Sequence, residues 1–108
     1  MLRLITKHKE YLEFRNPNFL LRTSHFNVPV IVSPLEFAVG ITIGKKIGKA
    51  HIRNKLKRRI KAWFYQHKNE LPAGYKLNLI ALPGAGELKW TQLCEELSEL
   101  TRHLAQSH

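Results

Sequence analysis

The chain has 108 residues, 44% of them apolar, and a formal net charge of +10 with no Asp. That length is the size of one domain able to bury a core without disulfide or metal staples, and that apolar share excludes an intrinsically disordered chain. The charge implies a polyanionic partner, with nucleic acid first and an acidic membrane surface second. The one cysteine, Cys94, excludes an internal disulfide framework, fits a reducing cytosol and reads as a buried or half-buried helix residue. Residues 1–14 hold no apolar run of signal-peptide length, and no segment approaches the roughly 20 apolar residues of a membrane span. The expectation is one cytoplasmic domain over residues 1–108.

Thr6 is expected to cap a short helix over residues 7–14, and Pro17 ends it by disfavouring helical geometry at Asn16. Residues 19–33 read as extended, because FNVPVIV is rich in β-branched side chains. Pro29 has no N–H for a ladder and predicts an edge or a bulge there. SPLE, Ser33–Glu36, is a turn, and FAVGITIG, Phe37–Gly44, is a strand with Val39, Ile41 and Ile43 on one face. So short a turn predicts that the two flanking strands are antiparallel neighbours. Gly44 and Gly48 mark a tight turn that carries lysines outward.

Residues 52–67 are helical in pattern. Ile52, Leu56, Ile60, Trp63 and Phe64 form the packing face, Arg53, Lys57 and Lys61 an adjacent stripe, with Asn54 and Arg58 beside it. Pro72 and Gly74 end the helix. YKLNLIAL, Tyr75–Leu82, is a strand with Leu77, Leu79 and Ala81 inward, and PGAGELK is a loop. A last helix over residues 91–103 aligns Leu93, Leu97, Leu100 and Leu104, with Glu in its first half and Arg102 and His103 in its last turn, an order that suits the helix dipole. The sequence of elements predicts an α+β domain whose helices cover one side of a small, mostly antiparallel sheet.

Ten of the 18 Lys and Arg lie between Lys45 and Lys68, a span without an acid, so the charge is a patch. Catalysis by this chain is not expected. His8, His25, His51, His67, His103 and His108 are scattered, no H-x-x-x-H or H-E-x-x-H occurs, and one Cys makes no soft metal site. GKKIGKA departs from a phosphate-binding loop, with its glycines four apart and Ala50 where Ser or Thr belongs. A helix-turn-helix reader of DNA needs a paired helix upstream, where this chain has a strand. A membrane-surface helix is not needed to explain apolar residues that a core already uses. The plain reading is a solvated helix face, and a phosphate-bearing partner accounts for the patch better. Without acidic i,i+4 partners the cations repel one another, arginines fork onto phosphates, and Asn54 suits bases or sugars.

Val39, Gly40, Lys45, Lys46, Gly48, Ala50, Arg53, Asn54, Lys57 and Arg58 stand at fixed spacing through VGITIGKKIGKAHIRNKLKR. With this arginine-rich signature the chain resembles the protein subunit of bacterial ribonuclease P. Residues 70–88, the leucine-spaced last helix and LITKHKEYLEF are similar to that family's last strand and loop, closing helix and opening helix. The resemblance implies a single-domain αβββαβα sandwich with a left-handed βαβ crossover, against the right-handed default. It also implies an RNA subunit that carries the catalysis and removes the 5′ leader of precursor tRNA, in a holoenzyme that requires magnesium. The protein would contact that RNA through its basic region and receive the leader in a cleft between the sheet and the first helix.

Carried over residue by residue, the resemblance assigns Lys45, Lys46, Lys49, Arg53, Asn54, Lys57 and Arg58 to RNA. Lys61 stands where the family usually has Arg, and keeps the charge without the fork. Ala62 stands where Glu is frequent. Arg59 occupies a usually apolar position, and membership of the RNA face and mere solvation are both open to it. Trp63 and Phe64 read as core. For the leader cleft, Phe14 and Phe26 match family aromatics, each with a second reading as ordinary core. Tyr11 is one position out of register, and Pro29 falls where Tyr is often found. The rival readings are a different RNA-binding module and a stand-alone protein nuclease.

Overall fold

The computed structural model describes residues 2–106, which leaves His108 outside the described residues. In chain order the elements are β1 (Leu2–Leu4), α1 (His8–Tyr11), β2 (Phe19–Arg22), β3 (Phe26–Val32), β4 (Phe37–Thr42), α2 (Ala50–Gln66), β5 (Tyr75–Ala81) and α3 (Trp90–Gln106). A 3-10 turn, Leu12–Arg15, extends α1, and others lie at Lys45–Ile47, Lys68–Glu70 and Ala85–Glu87. Thr6 does not cap α1. Lys7 takes the N-cap position, with no side-chain hydrogen bond.

Among the described residues the five strands form one sheet in the order β1-β4-β5-β3-β2. β3 and β4 are therefore not neighbours, contrary to the short turn between them. β5 lies between the two, antiparallel to β3 and parallel to β4. With β1 parallel to β4 and β2 antiparallel to β3, the sheet is mixed rather than mostly antiparallel. β5 holds the central place with six of its seven residues buried, Leu77 and Leu79 under the two long helices and Lys76 and Asn78 on the opposite face. Pro29 sits in an interior strand and not at an edge. The registered pairs between β3 and β5 skip Val28 and Pro29, so the missing N–H falls in a gap of the ladder.

The helices occupy both faces, where one was expected. On one face α2 inserts Leu56, Ile60, Trp63 and Phe64, and α3 inserts its four leucines, against Phe37, Val39, Leu77 and Leu79. Each such side chain contributes roughly 1.5–3 kcal/mol by leaving water. Cys94 is half-buried against this core. On the other face, α1 and its 3-10 turn bring Tyr11 and Phe14 onto Ile5, Ala38 and Ile31. No helix among the described residues is long and apolar enough to cross a membrane.

That second face carries a charge in its middle. Lys76 of β5 is 7% exposed, and its Nζ lies 2.8 Å from Glu10 and 2.6 Å from Glu13. Arg3 holds Glu10 from the far side at 2.7 Å and reaches Glu36 at 3.0 Å, while Ser33 donates to Glu36 at 2.6 Å. Burial disfavours the Lys76 ammonium, but its bonds to Glu10 and Glu13 outweigh this and raise its pKa. The Arg3 guanidinium, with Lys76 behind it, lowers Glu10 from its ordinary 4.5 to about 2.

A carboxylate depressed in the folded state stabilises the fold above its unfolded pKa and loses that contribution as pH falls through the folded value. The thermal midpoint is therefore expected to drop between about pH 4.5 and 2, and Glu10→Gln to flatten that limb. Because Glu13 still neutralises Lys76, Glu10→Gln should cost about 1–3 kcal/mol at neutral pH, less than the ~3–5 kcal/mol of a fully buried pair left half-empty. Circular-dichroism melts of both proteins across that pH range measure it.

Candidate nucleic-acid interface

The basic turn and helix begin at Gly44. Lys45, Lys46 and Lys49 are exposed on and after the 3-10 turn. Gly48 bends the chain into α2 at φ 155° and ψ −172°, a conformation that a side chain strongly disfavours. A Cβ there would also crowd Ile52 at 3.2 Å. Along α2, Asn54, Lys57 and Arg58 are exposed, while Arg53 and Lys61 are half-buried. Arg53 is partly committed to its own turn, since its Nε donates to the Gly48 carbonyl at 3.1 Å. Arg59 is neither core nor freely solvated, because its guanidinium donates to the Leu88 carbonyl at 3.4 Å. Trp63 and Phe64 are core, at 2% and 0% exposure.

α2 runs beside the β4 edge where β1 ends. Among the described residues that edge has no neighbouring strand beyond Leu4, and Tyr11 closes the first step of it. The Ile41 N–H donates to the Tyr11 phenol oxygen at 3.0 Å, and the Tyr11 hydroxyl donates to the Ile5 carbonyl at 3.1 Å. The ring lies over Gly40, where a Cβ would fall 2.7 Å from it. Past Tyr11 opens a groove of about 570 Å³. Its lining includes His8 and Tyr11 from α1, Thr42 and Asn78 from the sheet, and Lys57 and Lys61 from α2. A recess of about 200 Å³, lined by Arg53, Asn54 and Lys57 with Ile41 and Ile43, shares three residues with it. The structure thus brings Tyr11, Arg53, Asn54, Lys57 and Lys61 to one cleft.

The groove continues onto the half of the sheet that α1 leaves open. Strand alternation puts Gly40, Thr42, Asn78, Ile80, Asn27, Leu20 and Arg22 on this face, with Thr42, Ile80, Asn27 and Arg22 in one cross-strand row. None of these is acidic, and Leu20 is 71% exposed. His8, Thr42, Asn78 and Arg22 were not anticipated as site residues. The polar alternation of Lys76 and Asn78 with Leu77 and Leu79 was the available signal, and it marks a face without saying what meets it.

Two aromatic candidates are not available to a ligand. Phe26 is 0% exposed and points to the α2 and α3 side, because its place in β3 alternates with the open face. Phe14 is 7% exposed and packs on Ile5 and Ala38 beneath α1. Arg58 lies outside the cleft, turned about 100° around the helix from Lys57.

Comparisons with known proteins bear on the family and the fold. The family model described as Ribonuclease P matches residues 2–105. The ribonuclease P protein component of Syntrophus aciditrophicus is 33% identical over 97 residues, covering 89% of this chain and 82% of the relative. That of Enterococcus faecalis is 33% identical over 98 residues, with 89% and 83% covered. Among solved structures, the Thermotoga maritima RNase P protein superimposes with a TM-score of 0.80 at 26% identity, covering 94% of this chain and 96% of that one. The Staphylococcus aureus RNase P protein gives 0.77 at 26% identity, with 95% and 94% covered. The chain belongs to the ribonuclease P protein family.

The seat of Tyr11 on Gly40 is testable. Gly40→Ala should push the ring off the β4 edge at a cost of about 1–3 kcal/mol, the range for overpacking a filled site. Tyr11→Phe keeps the ring and leaves the Ile41 N–H without its acceptor. Both should speed hydrogen exchange at the Ile41 amide, read by NMR, while the amides of α3 keep their protection.

Proposed function

We propose that this chain is the protein component of a cytoplasmic ribonuclease P, one RNA-binding domain over residues 1–108 that binds the catalytic RNA and the 5′ leader of precursor tRNA. As a family member it is a part of a ribonucleoprotein endoribonuclease. The observation that carries the reading is an acid-free arc of cations on α2 opening onto a groove and an uncovered half-sheet. Lys45, Lys46, Lys49, Arg53, Lys57, Arg58 and Lys61 neutralise phosphates and release their counterions, and Asn54 hydrogen-bonds to a base or sugar. The leader lies as a single strand across the groove and the row from Thr42 to Arg22, beside the half-exposed Tyr11 ring. Asn27 and Thr42 offer hydrogen bonds there, with buried Asn78 orienting the Thr42 hydroxyl at 2.8 Å, and Ile80 offers an apolar contact.

No side chain of this chain enters the bond-breaking step. Among the described residues no three His, Cys, Asp or Glu side chains cluster in a metal-holding group. The magnesium of the reading belongs to the RNA-containing holoenzyme, and no step is assigned to an ion held by this chain. The protein acts by position. It holds the leader and so favours precursor over mature tRNA, and it lowers repulsion between RNA segments.

Precursor tRNA incubated at low magnesium with a bacterial ribonuclease P RNA should be cleaved faster when the chain is added, and not at all by the chain alone. Cleavage by the protein alone would overturn the reading in favour of a protein nuclease, and no stimulation would favour a different RNA-binding module. Arg53→Ala and Arg58→Ala should each weaken binding to the RNA subunit. Each should also flatten the plot of log affinity against log salt by about 0.7–0.9 for every phosphate that the variant no longer neutralises. Unchanged affinity and slope would show that α2 is not the RNA face.

A further inference from the structure

Arg58 opens a different side of α2. At about 100° per residue, Lys55, Arg58, Arg59 and Ala62 share an arc centred roughly 150° from Lys57. A helix with its side chains is about 10–12 Å across, so a strand seated in the Lys57 groove does not also reach Lys55 and Arg59. This arc has its own recess of about 370 Å³, lined by Lys55, Arg58, Arg59, Ala62 and Trp90. Trp90, the first residue of α3, packs on the core along one side and forms a wall of the recess with the rest. The bond from Arg59 to the Leu88 carbonyl holds its guanidinium next to that wall. The lining holds three cations and no carboxylate.

An indole left part-open among cations matches the two parts of a nucleotide. The planar base stacks on the ring whatever its identity, and the flanking phosphates meet Lys and Arg. We propose that this recess is a second RNA site, which takes one unpaired base on Trp90 and its neighbouring phosphates on Lys55 and Arg58. It rests on the reading of the chain as an RNA-binding component, and it adds that α2 lies between two RNA segments, one on each flank. The small Ala62 side chain leaves the floor of the recess open to the base.

The test is a titration of the full chain with a bacterial ribonuclease P RNA transcript. It is followed by tryptophan emission and, in parallel, by the electrophoretic mobility of the same RNA. Trp63, the other tryptophan, is 2% exposed and serves as an internal reference. Stacking on Trp90 quenches its emission in step with the mobility shift. Trp90→Leu should abolish the quench and weaken binding about tenfold, near the low end of one base–aromatic stack, with Trp90→Phe retaining most of the affinity. Ala62→Glu alters only a helix position outside the core and puts a carboxylate in the recess, so it keeps the test valid if Trp90→Leu fails to fold. It should weaken binding by a similar factor. A mobility shift without quenching, or affinity within twofold for Ala62→Glu, overturns the second site and leaves RNA binding by the groove standing. No mobility shift at all overturns the RNA-binding reading itself.

Discussion

The ion pairs of Lys76 hold the candidate interface in place. Lys76 lies in the central strand, on the face away from α2 and α3, and an ammonium buried there is tolerable only with acidic partners above it. Those partners, Glu10 and Glu13, are on α1 and the 3-10 turn after it. α1 has four residues and no side-chain cap, far short of a helix that stands by itself. The clamp from below, the Arg3 brace from the side and the small apolar cluster around Phe14 fix it to the sheet. Tyr11 then falls on Gly40, the β4 edge is closed for one step, and the groove begins where that closure stops.

The same pairs shape the field. Glu10, Glu13 and Glu36 are each engaged with Arg3 or Lys76, and Glu96 accepts from Thr23 and the His25 amide at the β2–β3 hairpin. The acids of the N-terminal half are thus spent on internal bonds. α2 keeps an array of cations with none of its own side chains to offset them. The separation of roles is geometric: acids tie α1 and the hairpin to the body, and the α2 cations are left without acidic partners.

The parts legible in the sequence are those whose signal is local. α2 and α3 declare themselves because each buries one stripe, and the turn before α2 because Gly48 needs a conformation few residues accept. β1 did not, since three residues are too few to show an alternation. The sheet order was hidden as well. A turn between β3 and β4 says that they run in opposite directions, and only the long-range burial of β5 decides that it lies between them. Phe26 illustrates the same limit. An aromatic residue in a strand does not state which face it is on, and the strand's register placed it in the core. The cleft residues Thr42 and Asn78 look like solvent positions until α1 and α2 arrive on either side.

α2 divides its work by angle, and the energies of the two halves differ enough to keep them independent. Like charges at i,i+3 and i,i+4, such as Arg53 with Lys57 and Lys57 with Lys61, each cost a few tenths of a kcal/mol. Over the helix this amounts to about 1–2.5 kcal/mol, comparable to the burial of one of its four anchors. The core can therefore carry a helix that would be poor alone, and none of its packing has to be surrendered to keep the cations. The penalty remains in the free protein as unrelieved repulsion. Phosphates close to both flanks would remove it, so part of the binding free energy is stored in the helix before any RNA arrives.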